Sequence, residues 1–265
     1  MATPALLPCA LAIGGMDPGG GAGILADLRG FQAAGAFGCA VVAVMTVQST
    51  SGLEAADAVP AKQILSQARV VLKHERIRAV KIGALGSAQN VRAVAELLAT
   101  HRDLPAIVDP VMLPSRGRAR LLAERATAAL REVLLPRATL VTANIPEAER
   151  ILETRVTNVS DAHDAALALV RLGARAALVK GGHLGGVDAI DVLAVRGEVL
   201  ELRAKRLRMQ PVHGGGCTLA SLIAGRLAVM DDDDIVAAVK WAKRSHHAML
   251  QRPRDVGGDL RVLVP

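Results

Sequence analysis

Short apolar runs alternate with amphipathic segments along most of the chain. The run at 6–13 has the length of a buried strand, and residues 24–34 place apolar side chains at helical spacing. The same two patterns predict further strands at 39–47, 78–82, 106–108, 139–141 and 174–179. They predict further helices at 60–72, 87–99, 121–134, 161–172, 219–227 and 232–250, and one that begins at 145.

This alternation predicts an α/β fold with a mostly parallel central sheet and helices on both faces. Residues 189–195 and 198–202 are separated by Arg196-Gly197 and predict a late hairpin of antiparallel strands. No proline-rich linker, low-complexity tract or fixed repeat divides the chain. We therefore expect a single domain over residues 1–265.

A run of three glycines, at 214–216, leads into an apolar segment in which Leu219 and Leu222 follow helical spacing. Such a turn directs unpaired N–H groups and partial positive charge outward, so it can bind an anion. Cys217 lies at this turn, where the helix N-terminus would lower the pKa of the thiol if solvent reaches it. The alternative is a flexible loop whose cysteine is buried as a small apolar side chain.

Polar side chains recur at the carboxyl ends of predicted strands, where an open α/β sheet binds its ligands. They are Asp17, Gln48, Asp109, Asn144 and Lys180. Asp17 belongs to a glycine-rich loop at 14–23 that lacks the P-loop pattern. Lys180 precedes two glycines and could reach a phosphate as a point charge. Asp109 can equally cap a turn, Asn144 can equally be a helix N-cap, and Asp27 can equally lie on a solvated helical face.

Composition limits the kinds of function. With 51% hydrophobic and 22% charged residues, the 265-residue chain is typical of an ordered globular protein. The net charge is +7, but the chain has no tyrosine, one tryptophan and two phenylalanines, which leaves little for base stacking. The basic balance favours an enzyme that handles phosphorylated metabolites. We expect no nucleic-acid partner.

Cysteine usage and hydropathy indicate the compartment. Cys9, Cys39 and Cys217 are odd in number and form no CxxC pair. This fits a reducing cytoplasm and argues against a disulfide framework or a cysteine-rich zinc site. No apolar run reaches transmembrane length, and the N-terminus lacks a signal-peptide pattern. We expect a cytoplasmic protein without a membrane partner.

Seven segments carry a resemblance to a known family. They are GGMDPGGGAGILAD at 14–27, VQST at 47–50, KIGAL at 81–85, VDPVM at 108–112, TANIPEAE at 142–149, KGGH at 180–183 and HGGGCT at 213–218. In this order they resemble the ribokinase-like kinases, and among them the hydroxymethylpyrimidine/phosphomethylpyrimidine kinases of thiamine biosynthesis. The resemblance implies a ribokinase-like fold and phosphoryl transfer from ATP, with Mg²⁺. The implied acceptor is the hydroxymethyl group of 4-amino-5-hydroxymethyl-2-methylpyrimidine, and then its monophosphate.

The resemblance also implies roles for individual residues. The anion hole for the transferred phosphoryl group would be Gly214, Gly215 and Gly216, and Cys217 takes the position of the catalytic base. The other catalytic positions are matched by Lys180, Asp109 and His213. The positions near the magnesium-bound phosphates are matched by Asn144 and Glu147. The pyrimidine pocket is matched by Gly15, Asp27, Gln48, Ala84 and Val111. Kinases of this fold often dimerise, so the resemblance implies a homodimer.

Several positions depart from the usual pattern of that family. Gly215 replaces a threonine, Met16 replaces a serine, and Ala84 replaces a methionine that commonly contacts the pyrimidine. We hypothesise that Met16 fills the volume vacated at Ala84. In the loop after Met112, either Arg116 supplies the cation of the usual Ala-Lys-Ser-Gly loop or that contact is lost. Two alternatives stay open: a pyridoxal or pyridoxine kinase, and a catalytically weak sensor that kept the pocket.

Overall fold

The computed structural model describes residues 6–113, 116, 121–123, 125–208 and 211–265. Its strands are β1 (Cys9–Met16), β2 (Phe37–Ser49), β3 (Gly52–Ala58), β4 (Ile77–Ile82), β5 (Ala106–Val108), β6 (Leu140–Asn144), β7 (Ala176–Lys180), β8 (Asp188–Val195), β9 (Glu198–Lys205), β10 (Val212–His213) and β11 (Arg261–Val262). Its helices are α1 (Gly23–Ala33), α2 (Ala61–His74), α3 (Ala88–Ala99), α4 (Ala126–Ala129), α5 (Ile145–Leu152), α6 (Val159–Arg171), α7 (Gly215–Val229) and α8 (Ile235–Leu250).

Nine strands form one sheet in the order β3-β2-β1-β4-β5-β6-β7-β8-β9. The six central strands run parallel; they are β2, β1, β4, β5, β6 and β7. The edge strands β3, β8 and β9 pair antiparallel. The chain passes from β1 to β2 on one side and returns to β4 on the other. The carboxyl ends of β1 and β4 therefore mark the switch point at which such sheets bind ligands. The predicted α/β class, the parallel sheet and the late hairpin are confirmed.

Two apolar clusters cover the two faces of the sheet. In β1, Leu11 and Ile13 face the cluster that includes α2, α3, α5 and α6, while Ala10 and Ala12 face the cluster that includes α1, α7 and α8. Both sets of side chains are fully buried, as expected for a parallel strand covered on both faces. The prediction of helices on both faces is confirmed.

Glycines let α1 and α7 approach each other closely. A Cβ at Gly30 would lie 2.1 Å from Ser221 Oγ, and one at Gly225 would lie 2.8 Å from Ala34 Cβ. This contact joins the helix after the glycine-rich loop to the helix after the three-glycine turn. The packing of α1 on α7 thereby brings the two loops together at the switch point.

The helix predicted at 121–134 begins later in the structure. Leu121 donates its N–H to Met112 O and accepts from Gly86 N–H, so it lies in an extended segment against the loop after β4. The α-helical turn starts at Ala126, and Leu130–Leu134 continues it as a π-helix. Long-range hydrogen bonds override the apolar periodicity here.

Three strands were missed by the sequence patterns. The edge strand β3 pairs with β2, and the short strands β10 and β11 pair with each other, placing His213 opposite Val262. No helix in the described part of the chain is long and apolar enough to span a bilayer.

Candidate active site

The polar strand ends converge on one cavity of about 130 Å³, at the carboxyl edge of the sheet and the first turn of α7. A wider cleft of about 930 Å³ adjoins it and shares part of its lining. The expected site residues that line the cavity are Gly15, Gln48, Ala84, Asp109, Val111, Asn144, Glu147, Lys180, His213, Gly214, Gly215, Gly216 and Cys217. Among the expected site residues, Asp27 alone does not line it.

The first turn of α7 offers backbone amides to the cavity. Gly214 precedes the helix in the left-handed conformation, with φ at +75°, and has no side chain to cap the turn. A Cβ at this position would lie 2.0 Å from Gly21 O, so the loop contact requires glycine. Thr218 closes the turn by donating its N–H and hydroxyl to Gly214 O, at 2.9 and 3.0 Å. Uncapped amides and the helix dipole suit this turn to bind an anion.

We expect Gly214→Ala to lower the melting temperature and Gly215→Ala to leave it nearly unchanged. Alanine at 214 must adopt a left-handed backbone and displace Gly21 O, which costs about 1–3 kcal/mol. At 215 the added Cβ lies 3.2 Å from Val212 Cγ2 on a helical backbone. Differential scanning fluorimetry of the two variants measures the difference. Equal shifts would contradict the turn geometry.

An ion-pair network lies beside this turn. Lys180 Nζ is 2.9 Å from Asp109 Oδ1 and 3.9 Å from Glu147 Oε2, and the Thr142 hydroxyl donates to Asp109 at 3.3 Å. Burial opposes the charge of Asp109, but Lys180 holds the pKa of this carboxyl below its usual range. At Glu147 burial dominates and raises the pKa to about 7. A Cβ at Gly216 would lie 3.3 Å from Lys180 Nζ, so the lysine reaches the anion-binding turn.

Asn144 and Glu147 hold each other at the start of α5. The Asn144 side chain accepts from the Glu147 N–H, and the Glu147 carboxylate accepts from the Asn144 N–H, each at 2.8 Å. This capping box accounts for both residue types, whereas the sequence pattern suggested a cap for Asn144 alone. The box fixes the Glu147 carboxylate at the border between the cavity and the wider cleft.

The Cys217 thiol is partly buried at the cavity. Burial raises its pKa to about 11; Lys81 lowers this value, while Asp109 and Asp27 raise it further. The helix N-terminus was expected to lower the thiol pKa if solvent reaches it; the thiol instead has a raised pKa, because desolvation outweighs Lys81 and the backbone hydrogen bond from Gly23. Most of the thiol is therefore protonated at neutral pH, and formation of the thiolate requires a compensating cation.

Asp17, one of the polar residues expected at a strand end, connects the glycine-rich loop to the cavity. Its carboxylate lies 2.8 Å from His213 Nε2 and accepts from the N–H groups of Gly19 and Ala22 at 2.9 and 2.8 Å. Burial opposes the charge, but His213 and these amides hold the pKa of Asp17 below its usual range. His213 Nε2 also lies 3.3 Å from the Gln48 amide nitrogen. His213 therefore donates to Asp17 and lies between this carboxylate and the Gln48 side chain.

Asp27 is fully buried, and its Oδ2 lies 2.9 Å from Lys81 Nζ. The direct contact with a pyrimidine that we expected is not available to a carboxylate enclosed in this way. Asp27 reaches the cavity only through Lys81, which does line it. Sequence reasoning did not single out Lys81 as a site residue. The available signal was a lysine in a buried strand, since a buried ammonium group requires a partner.

The model of the phosphomethylpyrimidine kinase family matches residues 17–261. The chain belongs to this family. Hydroxymethylpyrimidine/phosphomethylpyrimidine kinase of Streptomyces coelicolor is 43% identical over 257 residues, which cover 97% of this chain and 94% of that protein. The phosphomethylpyrimidine kinase structure from Clostridium difficile 630 matches with a TM-score of 0.79 at 34% identity, covering 91% of this chain and 98% of the other. The ADP complex of Bacillus subtilis pyridoxal kinase matches with a TM-score of 0.88 at 26% identity, covering 97% of each chain.

Membership in a kinase family makes this chain a phosphotransferase, as the seven sequence segments implied. The ribokinase-like fold is confirmed by the same solved structures.

Met16 does not compensate for Ala84 in this kinase. Ala84 packs with Leu121 in a small cluster, whereas Met16 packs against the cluster that includes α1, α7 and α8. A Cβ at Gly15 would lie 3.6 Å from Ala84 Cβ, and successive strand residues face opposite sides of a sheet. The compensation hypothesis is wrong because β1 turns Met16 away. Leu121 is the large apolar side chain that packs with Ala84 and lines the cavity.

Arg116 does not supply the expected cation at the cavity. Its guanidinium lies 3.1 Å from Asp259 Oδ2, and both side chains are more than half exposed, at 52% and 58%. Its carbonyl accepts from the Leu53 N–H, which anchors the loop backbone. Its loop neighbours Pro114, Ser115 and Gly117 lie outside the described residues.

Proposed function

We propose that this protein transfers the γ-phosphoryl group of ATP to the hydroxymethyl group of 4-amino-5-hydroxymethyl-2-methylpyrimidine, and then to its monophosphate. One observation carries this proposal: the uncapped turn of α7, Lys180 and Cys217 meet at a single cavity. Phosphoryl transfer needs positioning and donors around the moving group more than covalent chemistry. Family membership supplies the pyrimidine as the expected acceptor.

The residues divide into a phosphate side and an acceptor side. Lys180, oriented by Asp109, and the amides of 214–216 would stabilise charge on the transferred group. Gln48, whose amide nitrogen lies beside His213, would hydrogen-bond the aminopyrimidine, with Val111 against the ring. Cys217, at the helix N-terminus, would meet the acceptor hydroxyl and either take its proton or orient it.

The donor set fits a magnesium–nucleotide complex. Magnesium keeps several waters and takes one or two carboxylates together with phosphate oxygens. Asn144 and Glu147 would hold it, because burial leaves the Glu147 carboxylate only partly compensated by Lys180, 3.9 Å away. Among the described residues, no group of three or more His, Cys, Asp or Glu side chains could form a dedicated cage. When bound, the ion would neutralise polyphosphate charge.

A pyridoxal or pyridoxine kinase is the second candidate. Its support is the match to Bacillus subtilis pyridoxal kinase, with a TM-score of 0.88, and the alanine at 84. That ring also carries a hydroxymethyl group. The retained Lys180, Asp109 and Cys217 argue against a sensor that only binds pyrimidines, since binding alone does not need them.

Coupled ADP release, with products identified by mass spectrometry, tests these functions. The purified protein would receive ATP and Mg²⁺ with hydroxymethylpyrimidine, its monophosphate or pyridoxal, each offered separately. Turnover on both pyrimidines supports the proposal. Turnover on pyridoxal alone would replace it with the second candidate, and binding without turnover on any acceptor would favour the sensor.

We also propose that the chain acts as a single cytoplasmic domain that forms a homodimer through the β2–β3 hairpin. Met45 and Val47 project from one side of β2 and are 52% and 55% exposed. Contiguous apolar patches on a protein surface are common sites of protein–protein contact, and these two side chains are the basis of the proposed interface.

We expect Met45→Lys/Val47→Lys to be monomeric at concentrations at which the wild type is dimeric. Two buried ammonium groups would oppose association across that face. Size-exclusion chromatography with light scattering measures the mass. Val187→Lys, at a position that is 82% exposed outside the hairpin, is the control and should stay dimeric. A monomeric wild type would refute the dimer.

A further inference from the structure

Lys81 carries a buried charge to which the proposed kinase function assigns no role. Its side chain in β4 is 1% exposed, and its Nζ lies 2.9 Å from Asp27 Oδ2. The second oxygen of Asp27 is buried without a hydrogen-bond partner. Replacing such a buried pair by well-packed apolar residues often leaves the folded protein at least as stable. Stability alone therefore does not account for two charges at this place.

The ammonium group of Lys81 lies at the wall of the cavity that contains Cys217. Lys81 and Cys217 both line this cavity, and a Cβ at Gly83 would lie 2.9 Å from Lys81 Nζ. The charged groups around the thiol are Asp27 of α1, Lys81 of β4, Asp109 after β5 and Lys180 of β7. Lys180 lies near two carboxylates, 2.9 Å from Asp109 and 3.9 Å from Glu147, whereas among the described residues Lys81 forms an ion pair with Asp27 alone. Among these charges, Lys81 acts most strongly on the thiol.

We propose that Lys81, oriented by Asp27, is the counter-ion of the Cys217 thiolate and thereby a positioning residue for phosphoryl transfer. A buried thiol loses its proton only when a cation compensates the thiolate. The thiolate then takes the proton of the acceptor hydroxyl, the alcohol oxygen bonds to phosphorus, and the bond to the departing ADP breaks. Lys81 keeps its own proton throughout, because Asp27 raises the pKa of its ammonium group despite burial.

Removing Asp27 and removing the whole ion pair have opposite expected effects on the thiol. In Asp27→Asn, a carboxylate that raises the pKa of the thiol is removed, while Asp109 and the thiolate itself still favour the charged form of Lys81. In Lys81→Met/Asp27→Asn the cation is also gone, so the thiolate loses its strongest favourable charge. The double variant leaves no buried carboxylate without a partner, which preserves folding.

Alkylation of Cys217 by iodoacetamide, followed by peptide mass spectrometry at one fixed alkaline pH, measures the thiolate. Peptide mapping separates Cys217 from Cys9 and Cys39. We expect alkylation about threefold faster in Asp27→Asn and about threefold slower in the double variant. A change of about one unit in the thiol pKa changes the thiolate fraction about tenfold, but a thiolate of lower pKa is also a weaker nucleophile, which offsets part of the change. In steady-state assays the kcat of the double variant should fall about tenfold or more, with little change in KM for ATP.

Lys243→Met is the matched control. It breaks another largely buried ion pair, 2.6 Å from Asp191, at a residue that does not line the cavity, so Cys217 should react at the wild-type rate. Faster alkylation in both test variants would indicate loosened packing, and unchanged rates in both would show that Lys81 does not act on the thiol. Either result overturns the proposal. It rests on the proposed kinase function, but the alkylation assay uses no substrate, so failure of one is distinguishable from failure of the other.

Discussion

Cys217→Ala is expected to lower kcat by about 10²–10⁴-fold, the usual contribution of a positioned acid or base, and to change KM little. The thiol stands at the first turn of α7, where an acceptor hydroxyl would meet the transferred group. Alanine keeps the backbone amides and removes only the sulfur. Steady-state kinetics with ATP and hydroxymethylpyrimidine measures the change, and a wild-type kcat would remove the thiol from the mechanism.

Two further variants interpret this result. Cys39→Ala is the control, because burial raises the pKa of the Cys39 thiol to about 11 as well. Cys39 lies in β2 and does not line the cavity, so its removal should not change kcat. Cys217→Ser keeps a hydrogen-bonding group whose pKa is far too high for it to act as a base. Recovery of most of the turnover in the serine variant would assign an orienting role to Cys217, whereas an activity as low as that of alanine would support the base.

Most of the fold could be predicted because the apolar period changes between strands and helices along the chain. The patterns failed where distant pairing decides the conformation. The strand β3 reads Gly-Leu-Glu-Ala-Ala-Asp-Ala, a sequence with low strand propensity that becomes a strand because β2 offers it hydrogen bonds. Leu121 fits a helical stripe but is held extended by its bonds to Met112 and Gly86.

The candidate site could be predicted in outline because the carboxyl ends of parallel strands meet at one edge. Asp109, Asn144 and Lys180 follow that rule, and all three line the cavity. Contacts between elements far apart in sequence could not be predicted. Asp27 faces Lys81 only because α1 packs on β1, the strand next to β4, and this contact decides that the carboxylate is enclosed. The pKa of Cys217 depends on the same packing.

Lys180→Met is expected to reduce kcat/KM by about 10³-fold or more, because it removes the proposed phosphate ligand and donor to the developing charge. It should also destabilise the protein. Asp109, which is 1% exposed, and Glu147 would face each other without Lys180, and breaking a buried pair costs about 3–5 kcal/mol. For a chain of this size we expect a melting temperature lower by roughly 10 °C. Lys180→Met/Asp109→Asn removes both charges, so it should recover part of the melting temperature but none of the activity.

The stability loss in Lys180→Met should be larger at alkaline than at mildly acidic pH. Burial already raises the pKa of Glu147 to about 7, and without the lysine it rises further. An acid whose pKa is raised by folding destabilises the folded state as pH rises through that value, so acidification relieves the variant. In the wild type, Lys180 keeps the pKa of Asp109 low, and the resulting stability is present above the unfolded pKa and lost only in strong acid. Melting curves of both proteins across the pH range test this sign. A difference that grows on acidification would show that Lys180 is not the cation that compensates these carboxylates.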